Sequence, residues 1–358
     1  MVRRYSAVFA FALFLVAIQL ATLFAGAGYY LTQLTMTAYY SLLTIGLCML
    51  IGYAGQISLG HAGFFAIGGY VSAFLTTCDL TPHKGSALVS LLSKSGVLVF
   101  RPGLYGGTLL TVHPWPACVV AILLTVVIAY LVGGPVLKLR GHYLAMATLG
   151  FGIIILRIVL GTESLGAADG ISDVPGFPLF PGLAISGDSS LRVSNYYMAW
   201  GLVILGMVFL LNLVHSRVGR ALAAVHGAED AASAVGIPTA RYKLHTFVLS
   251  AVFASLAGVL LTHYNGGIGP SEASVMKSVR YVAIVAAGGM ANLWGALMMS
   301  LVLNYLSLRG YFGTFDDAVF GIILLLIMLF APDGLLRRHI LADLGRMFSR
   351  NAAGEEGS

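Results

Sequence analysis

The chain has 358 residues, of which 58% are hydrophobic and only 9% charged, with a formal net charge of +6. Water-soluble domains carry about 25% charged residues, so this composition, with a mean hydropathy of +0.90, excludes a soluble globule. The positive balance does not point to nucleic acid, because the lysines and arginines are sparse and collect in short loops, where they read as topology signals.

Runs of about 20 apolar residues recur along the chain, and at 1.5 Å per residue such a run crosses the ~30 Å hydrocarbon core. The fold class is therefore all-α, a polytopic helical membrane protein. The N-terminal run follows Arg3 and Arg4 and ends near Ala25-Gly26-Ala27, as a signal peptide would. Its apolar stretch of about 20 residues exceeds the 7–15 of a signal h-region, so a retained first span is expected. About ten segments follow from the hydropathy: 8–27, 30–51, 58–77, 117–136, 142–160, 196–215, 244–263, 278–290, 292–308 and 314–331. The third and eighth are short and interrupted by glycine, as broken or re-entrant segments are.

Loop charge orients the set. With the N-terminus inside, inner loops hold Arg3, Arg4, Lys138, Arg140, Arg217, Arg220, Arg241 and Lys243, and the tail adds Arg337, Arg338, Arg346 and Arg350. The loop 161–195 falls outside and carries Glu163, Asp169, Asp173 and Asp188 against Arg192. That pattern predicts N-in/C-in topology. Lys84, Lys94 and Arg101 in the outer loop 78–116 argue the other way. The expected organisation is a membrane domain over 1–336, with an inner loop at 216–243 and outer loops at 78–116 and 161–195, then a cytoplasmic tail over 337–358.

The inner loop contains GRALAAVHGAEDAASAVGIPTARYK (Gly219–Lys243), alanine-rich and without a large apolar stripe. Its Arg220, Glu229, Asp230, Arg241 and Lys243 would each cost about 2.5–3.5 kcal/mol at the centre of a membrane, which keeps it in water. Glu229 and Asp230 complement the positive end of a helix dipole. Gly236 then suits a C′ position and Pro238 stops the helix. On residues alone this is either a loop helix resting on its own protein or a docking element for a soluble partner.

Several stretches, in order, resemble a known family: GYAGQISLGHAGFFAIGGY (Gly52–Tyr70), LRGHYLAMATLGFG (Leu139–Gly152), GISDVP (Gly170–Pro175), GAEDAASAVGIPTARYKLHTFVLSA (from Gly227), GGMANLWGA (Gly288–Ala296) and LFAPDGLL (Leu329–Leu336). Over roughly residues 35–336 the chain resembles LivM-type permease subunits of branched-chain amino acid ABC transporters. The E-x-A-A-x-x-x-G core of their coupling loop matches Glu229, Ala231, Ala232 and Gly236. The resemblance implies half of a membrane channel in a bacterial inner membrane, paired with a second homologous permease. It further implies two cytoplasmic ATPase subunits that bind ATP and Mg, and a periplasmic substrate-binding protein. Glu229, Asp230, Ala231, Ala232, Gly236 and Arg241 would then couple to the ATPases. The chain departs from the family at Ile153, where glutamate is frequent, at His226-Gly227, where an Arg-Glu pair is usual, and at Asp333. Its 81–116 loop is also longer.

No cofactor is expected in the chain itself. It has no G-x-x-x-x-G-K-[ST], no HExxH and no GxSxG, and its nine histidines are scattered. Cys48 and Cys118 in apolar runs and Cys78 at a run's end have no metal or disulfide spacing. Gln56, Ser58, His61 and Thr148 are the polar side chains proposed for a substrate path. The competing reading of the first three is packing inside the bundle, which is also the expected role of the glycines around them. Arg157 is late enough in its span to snorkel outward. Glu163, Asp316 and Asp317 fall at span ends, so no acid at mid-membrane supports an ion-coupled secondary transporter, and no clustered catalytic set supports a membrane enzyme. An apolar, weakly charged path suits aliphatic amino acids and equally urea or short amides.

Overall fold

The structure, a computed structural model, describes residues 2–83, 96–102, 108–139, 141–180, 182–311 and 313–330, together with Val89 and Ser93. Each apolar run becomes a helix. Six are long and apolar enough to cross a membrane: α1 (Val2–Phe24), α2 (Tyr29–Cys48, prolonged by a π turn at Met49–Tyr53), α4 (Pro114–Val136), α5 (His142–Gly161), α6 (Arg192–Val214) and α9 (Thr239–Asn265). Four shorter ones fill the other runs: α3 (His61–Thr77), α10 (Val275–Gly288), α11 (Leu293–Leu308) and α12 (Asp316–Phe330). Between α6 and α9 lie two surface helices, α7 (Arg217–Gly227) and α8 (Glu229–Ala234).

Helix α2 is the hub. Its apolar window is 94% buried in protein, against 17% for α1 and 28% for α5, so α1 and α5 present their apolar surface outward as lipid-facing helices do. Buried hydroxyls and an amide bind α2 to α11: Ser41 donates to Ser300 at 3.0 Å, Ser300 to Thr44 at 3.3 Å, and Asn304 to Ser300 Oγ at 2.9 Å. In lipid, where apolar contact gives helices no preference for each other, such bonds and close backbone approach drive association.

Helices α3 and α9 come into backbone contact. A Cβ on Gly258 would lie 2.0 Å from the Phe65 carbonyl oxygen, one on Gly68 2.2 Å from that of Ser255, and one on Gly69 2.5 Å from Thr262 Oγ1. Only glycine fits. The loop GGMANLWGA makes a second such contact: a Cβ on Gly52 would meet the Met290 carbonyl at 1.5 Å, and Tyr53 donates to the Ala291 carbonyl at 2.9 Å.

The end bearing α7 and α8 is here called basal and the other apical. Tyr5 reaches Asn212 at 2.9 Å, placing the start of α1 beside the end of α6. The apical loops hold small strands that local hydropathy did not reveal. Strands β1 (Leu98–Pro102) and β2 (Thr108–Val112) form a hairpin. Strands β4 (Phe177–Phe180) and β5 (Leu183–Ile185) form another. Strand β3 (Ile171–Ser172) pairs with β6 (Gly267–Ile268), which follows α9. Arg101 pairs with Asp173 across the two loops, so one of the cations that argued against an outer location is neutralised by an acid of the other apical loop. Asp79 accepts from the Thr81 hydroxyl and N–H and from Leu110 N–H, and these bonds hold its carboxyl below the usual carboxylate range. The 337–358 tail, Lys84, Lys94, Arg140 and most of LFAPDGLL lie outside the described residues.

Gly68→Ala or Gly258→Ala should each destabilise the protein by about 1–3 kcal/mol through overpacking. Gly201→Ala, where a Cβ meets nothing within 4 Å, should be neutral. Thermal unfolding of the three purified variants in one detergent checks this.

Candidate functional site

Between α2 and α3 the chain leaves helical geometry. After the π turn, Gly55 has φ +67, and residues 55–60 run without helix or strand to His61. Their burial alternates: Gln56, Ser58 and Gly60 are buried, whereas Gly55 and Ile57 are exposed. This is strand-like periodicity, with one side locked into the protein. The Leu59 N–H donates to Thr148 Oγ1 at 3.0 Å, and Gly60 packs on the Thr148 carbonyl. His61 is fully buried, with Nδ1 3.0 Å from Ser58 Oγ and Nε2 2.8 Å from Ser250 Oγ. Phe64 and Phe247 contact its ring edge to face.

The four residues proposed for the substrate path are thereby brought together, but not as an open polar lining. Ser58, His61 and Thr148 spend their polar atoms holding the break in place. Gln56 differs. It is 2% exposed, and neither atom of its side-chain amide has a hydrogen-bond partner. The exposed side of the break is made of Gly55 and Ile57 instead.

At the basal surface, Ser216 caps α7 by accepting from Val218 N–H at 3.1 Å and Gly219 N–H at 3.4 Å. Gly219, Leu222 and Val225 form its buried stripe, while Arg217 and Arg220 face outward. Sequence reasoning missed this helix; the cap and the i, i+3, i+6 spacing of small apolar residues were the available signal. The far end of α7 rests on the break, where a Cβ on Gly55 would come within 2.8 Å of His226 Nδ1.

Helix α8 follows the expected pattern. Glu229 opens it, Gly236 has φ +85, and the Gly236 and Ile237 N–H groups donate to the Ser233 and Ala232 carbonyls at 3.0 and 3.1 Å, closing a Schellman motif. Ala232 is buried, whereas Asp230, Ala231, Ala234, Val235 and Gly236 are exposed. Glu229 pairs with Lys243 on α9 at 2.5 Å. Its carboxylate therefore braces α8 against its own protein, and Asp230, Ala231, Val235 and Arg241 are exposed around it. A cleft of about 390 Å³ opens alongside, lined by Lys138, Glu229, Arg241 and Lys243.

One further polar centre lies in the bundle, and sequence reasoning passed over it. Glu272, in the turn Pro270–Ala273, and Lys277 on α10 pair at 3.0 Å and both reach the Tyr40 hydroxyl near the middle of α2. The β3–β6 pairing ties the loop before α10 to the apical loop that carries β3. By contrast Asp316 stays at a helix end, taking Arg280 and Ser307 as partners. No cluster of His, Cys, Asp and Glu suited to a metal occurs among the described residues.

Residues 29–332 match the family described as branched-chain amino acid transport system / permease component. The chain belongs to this family. It is 32% identical over 324 residues to the high-affinity branched-chain amino acid transport system permease protein LivM of Salmonella typhimurium, covering 84% of this chain and 68% of the relative. It is 30% identical to LivM of Escherichia coli over the same shares. It is also 28% identical to LivH of Escherichia coli, over 87% of this chain and 96% of the relative. No solved structure matches.

Gly236→Val should loosen the end of α8 by about 1–2 kcal/mol, the cost of a left-handed residue with a side chain. Gly227→Ala, with open space around its Cβ, should tighten α7 slightly. Amide hydrogen exchange over residues 217–237 checks both signs.

Proposed function

We propose that this chain is the permease subunit of an ATP-driven importer of branched-chain amino acids and forms half of its translocation pathway. The family match over residues 29–332, with LivM and LivH relatives that cover most of the chain, carries this reading. The chain would sit in a bacterial inner membrane with ten crossings and both termini in the cytoplasm. The charge of the basal loops supports that orientation, as do the ten helices, whose ends alternate between basal and apical faces.

In this reading the chain performs no hydrolysis. Two ATPase subunits would bind ATP and Mg and dock on α7 and α8, where Asp230, Ala231, Gly236 and Arg241 are exposed and Glu229–Lys243 keeps α8 seated on α9. Motion of the pair would pass to the break at 55–60 through the contact of His226 with Gly55. A second homologous permease would face the exposed Gly55–Ile57 side, completing a channel that neither chain encloses alone. The apical loops, joined by Arg101–Asp173, would receive the loaded periplasmic binding protein. A ligand shifts such an equilibrium only by binding the two states unequally, so ATP binding in the partners must favour one setting of α7 and α8.

The test is ATP hydrolysis in proteoliposomes holding this chain with its sister permease, ATPases and binding protein. Binding protein loaded with leucine, isoleucine or valine should stimulate turnover. Stimulation only by urea- or amide-loaded protein would retain the machine and change the cargo, and no stimulation by any ligand would reject the assignment.

A further inference from the structure

Ionisable side chains packed against transmembrane helices are costly, and they persist where they serve a path or a ligand. Glu272 and Lys277, held against Tyr40 of α2, are such a pair. The Tyr40 hydroxyl donates to Glu272 Oε1 at 3.1 Å and accepts from Lys277 Nζ at 3.2 Å, and the ammonium lies 4.8 Å from the centre of the Tyr40 ring. Tyr40 stacks on Phe65 at 5.9 Å and meets Tyr281 at 6.2 Å. The pair is not sealed in, since the side chains of Glu272 and Lys277 keep 18% and 22% exposure. The next cation on α10, Arg280, is occupied by Asp316 and Ser307.

Two hydroxyls beside the pair have no use in the fold. Tyr70 and Tyr281 are almost wholly buried, and neither hydroxyl has a hydrogen-bond partner. Tyr281 meets Tyr40, whose hydroxyl joins the pair, and Tyr70 follows Gly69, where a Cβ would lie 2.4 Å from Ile268, four residues before Glu272. A buried orphan hydroxyl costs free energy that phenylalanine would not. A pair kept only as a brace would not need them.

We propose that this cluster is a transit site for the zwitterionic head of an α-amino acid, an inference that rests on the permease reading above. The cargo carboxylate would take Lys277 and a tyrosine hydroxyl, and its ammonium would take Glu272. The charges balance in either state: the pair neutralises itself when empty and neutralises the zwitterion when loaded. Neither state leaves an uncompensated buried charge, the arrangement that is most destabilising. A zwitterion with both groups free fits; an amine or a carboxylate alone would strand one member of the pair.

The experiment is uptake of labelled leucine by the complete transporter in proteoliposomes, read beside ATP hydrolysis and thermal stability. Tyr70→Phe and Tyr281→Phe should keep or raise the melting temperature, keep binding-protein-stimulated hydrolysis, and lower uptake about 2- to 10-fold, the range of one lost hydrogen bond. Glu272→Gln and Lys277→Met should lose about tenfold or more, as expected for bonds to charged groups. The exchange Glu272→Lys with Lys277→Glu restores an ion pair but reverses the site, and uptake should stay low. Wild-type uptake in the double variant Tyr70→Phe/Tyr281→Phe, or recovery in the exchanged pair, would overturn the transit site and leave the permease reading standing. No leucine uptake by the wild-type assembly would remove both.

Discussion

A backbone group inside a membrane must be bonded within the protein or must face water, since hydrocarbon offers no partner. This constraint explains why residues 55–60 are the centre of the structure. The chain could have continued α2 as a helix, with every N–H satisfied locally. It instead breaks at Gly55 and runs without regular structure to His61, and much of the surrounding sequence serves to make that break tolerable. Thr148 takes the Leu59 N–H, Ser58 and Ser250 hold His61 from both ring nitrogens, and the glycines of α3 and α9 bring those helices into backbone contact. The buried side is fully engaged except at Gln56. The exposed side, Gly55 and Ile57, has water or a partner subunit as its only acceptable neighbours.

The same break is where the basal surface reaches the membrane interior. Helix α8 is seated on α9 by Glu229–Lys243, α7 carries a three-residue apolar stripe, and His226 closes on Gly55. A displacement of the short helices therefore bears on a segment that lacks a helical ladder to resist it. On the apical side of the break, the Ala62 N–H donates to Ser278 Oγ at 3.1 Å, next to Lys277. The basal helices, the break and the charged pair thus form a continuous chain of contacts, and each link depends on a glycine, a serine or a histidine rather than on a large apolar residue.

Much of this was legible in the sequence, and what was not has a common cause. Hydropathy located the six helices long enough to cross a membrane, because twenty apolar residues in a row leave few alternatives. The dipole-complementing Glu229, the αL position at Gly236 and the stop at Pro238 were local grammar, and each stands where local rules put it. The roles of His61 and Thr148 were not local: His61 meets Ser250 on α9, and Thr148 on α5 takes the Leu59 N–H, 89 positions earlier in the chain. Glu229 read as an outward docking charge, yet its partner Lys243 is a helix away. Glu272 fell between the predicted segments 244–263 and 278–290 and went unremarked, although it pairs with Lys277 beside Tyr40. Local rules find polar residues, but long-range pairing decides which way each one faces.

The central claim is that the exposed side of residues 55–60 lines a water-filled path. The most direct measurement is thiol labelling of Ile57→Cys and Ser58→Cys in the assembled transporter, with Cys48, Cys78 and Cys118 replaced by alanine. A membrane-impermeant maleimide should modify position 57 readily and leave position 58 untouched, because burial alternates between them. Modification of Ile57→Cys only by a lipid-soluble reagent, or equal reaction at both positions, would contradict the account.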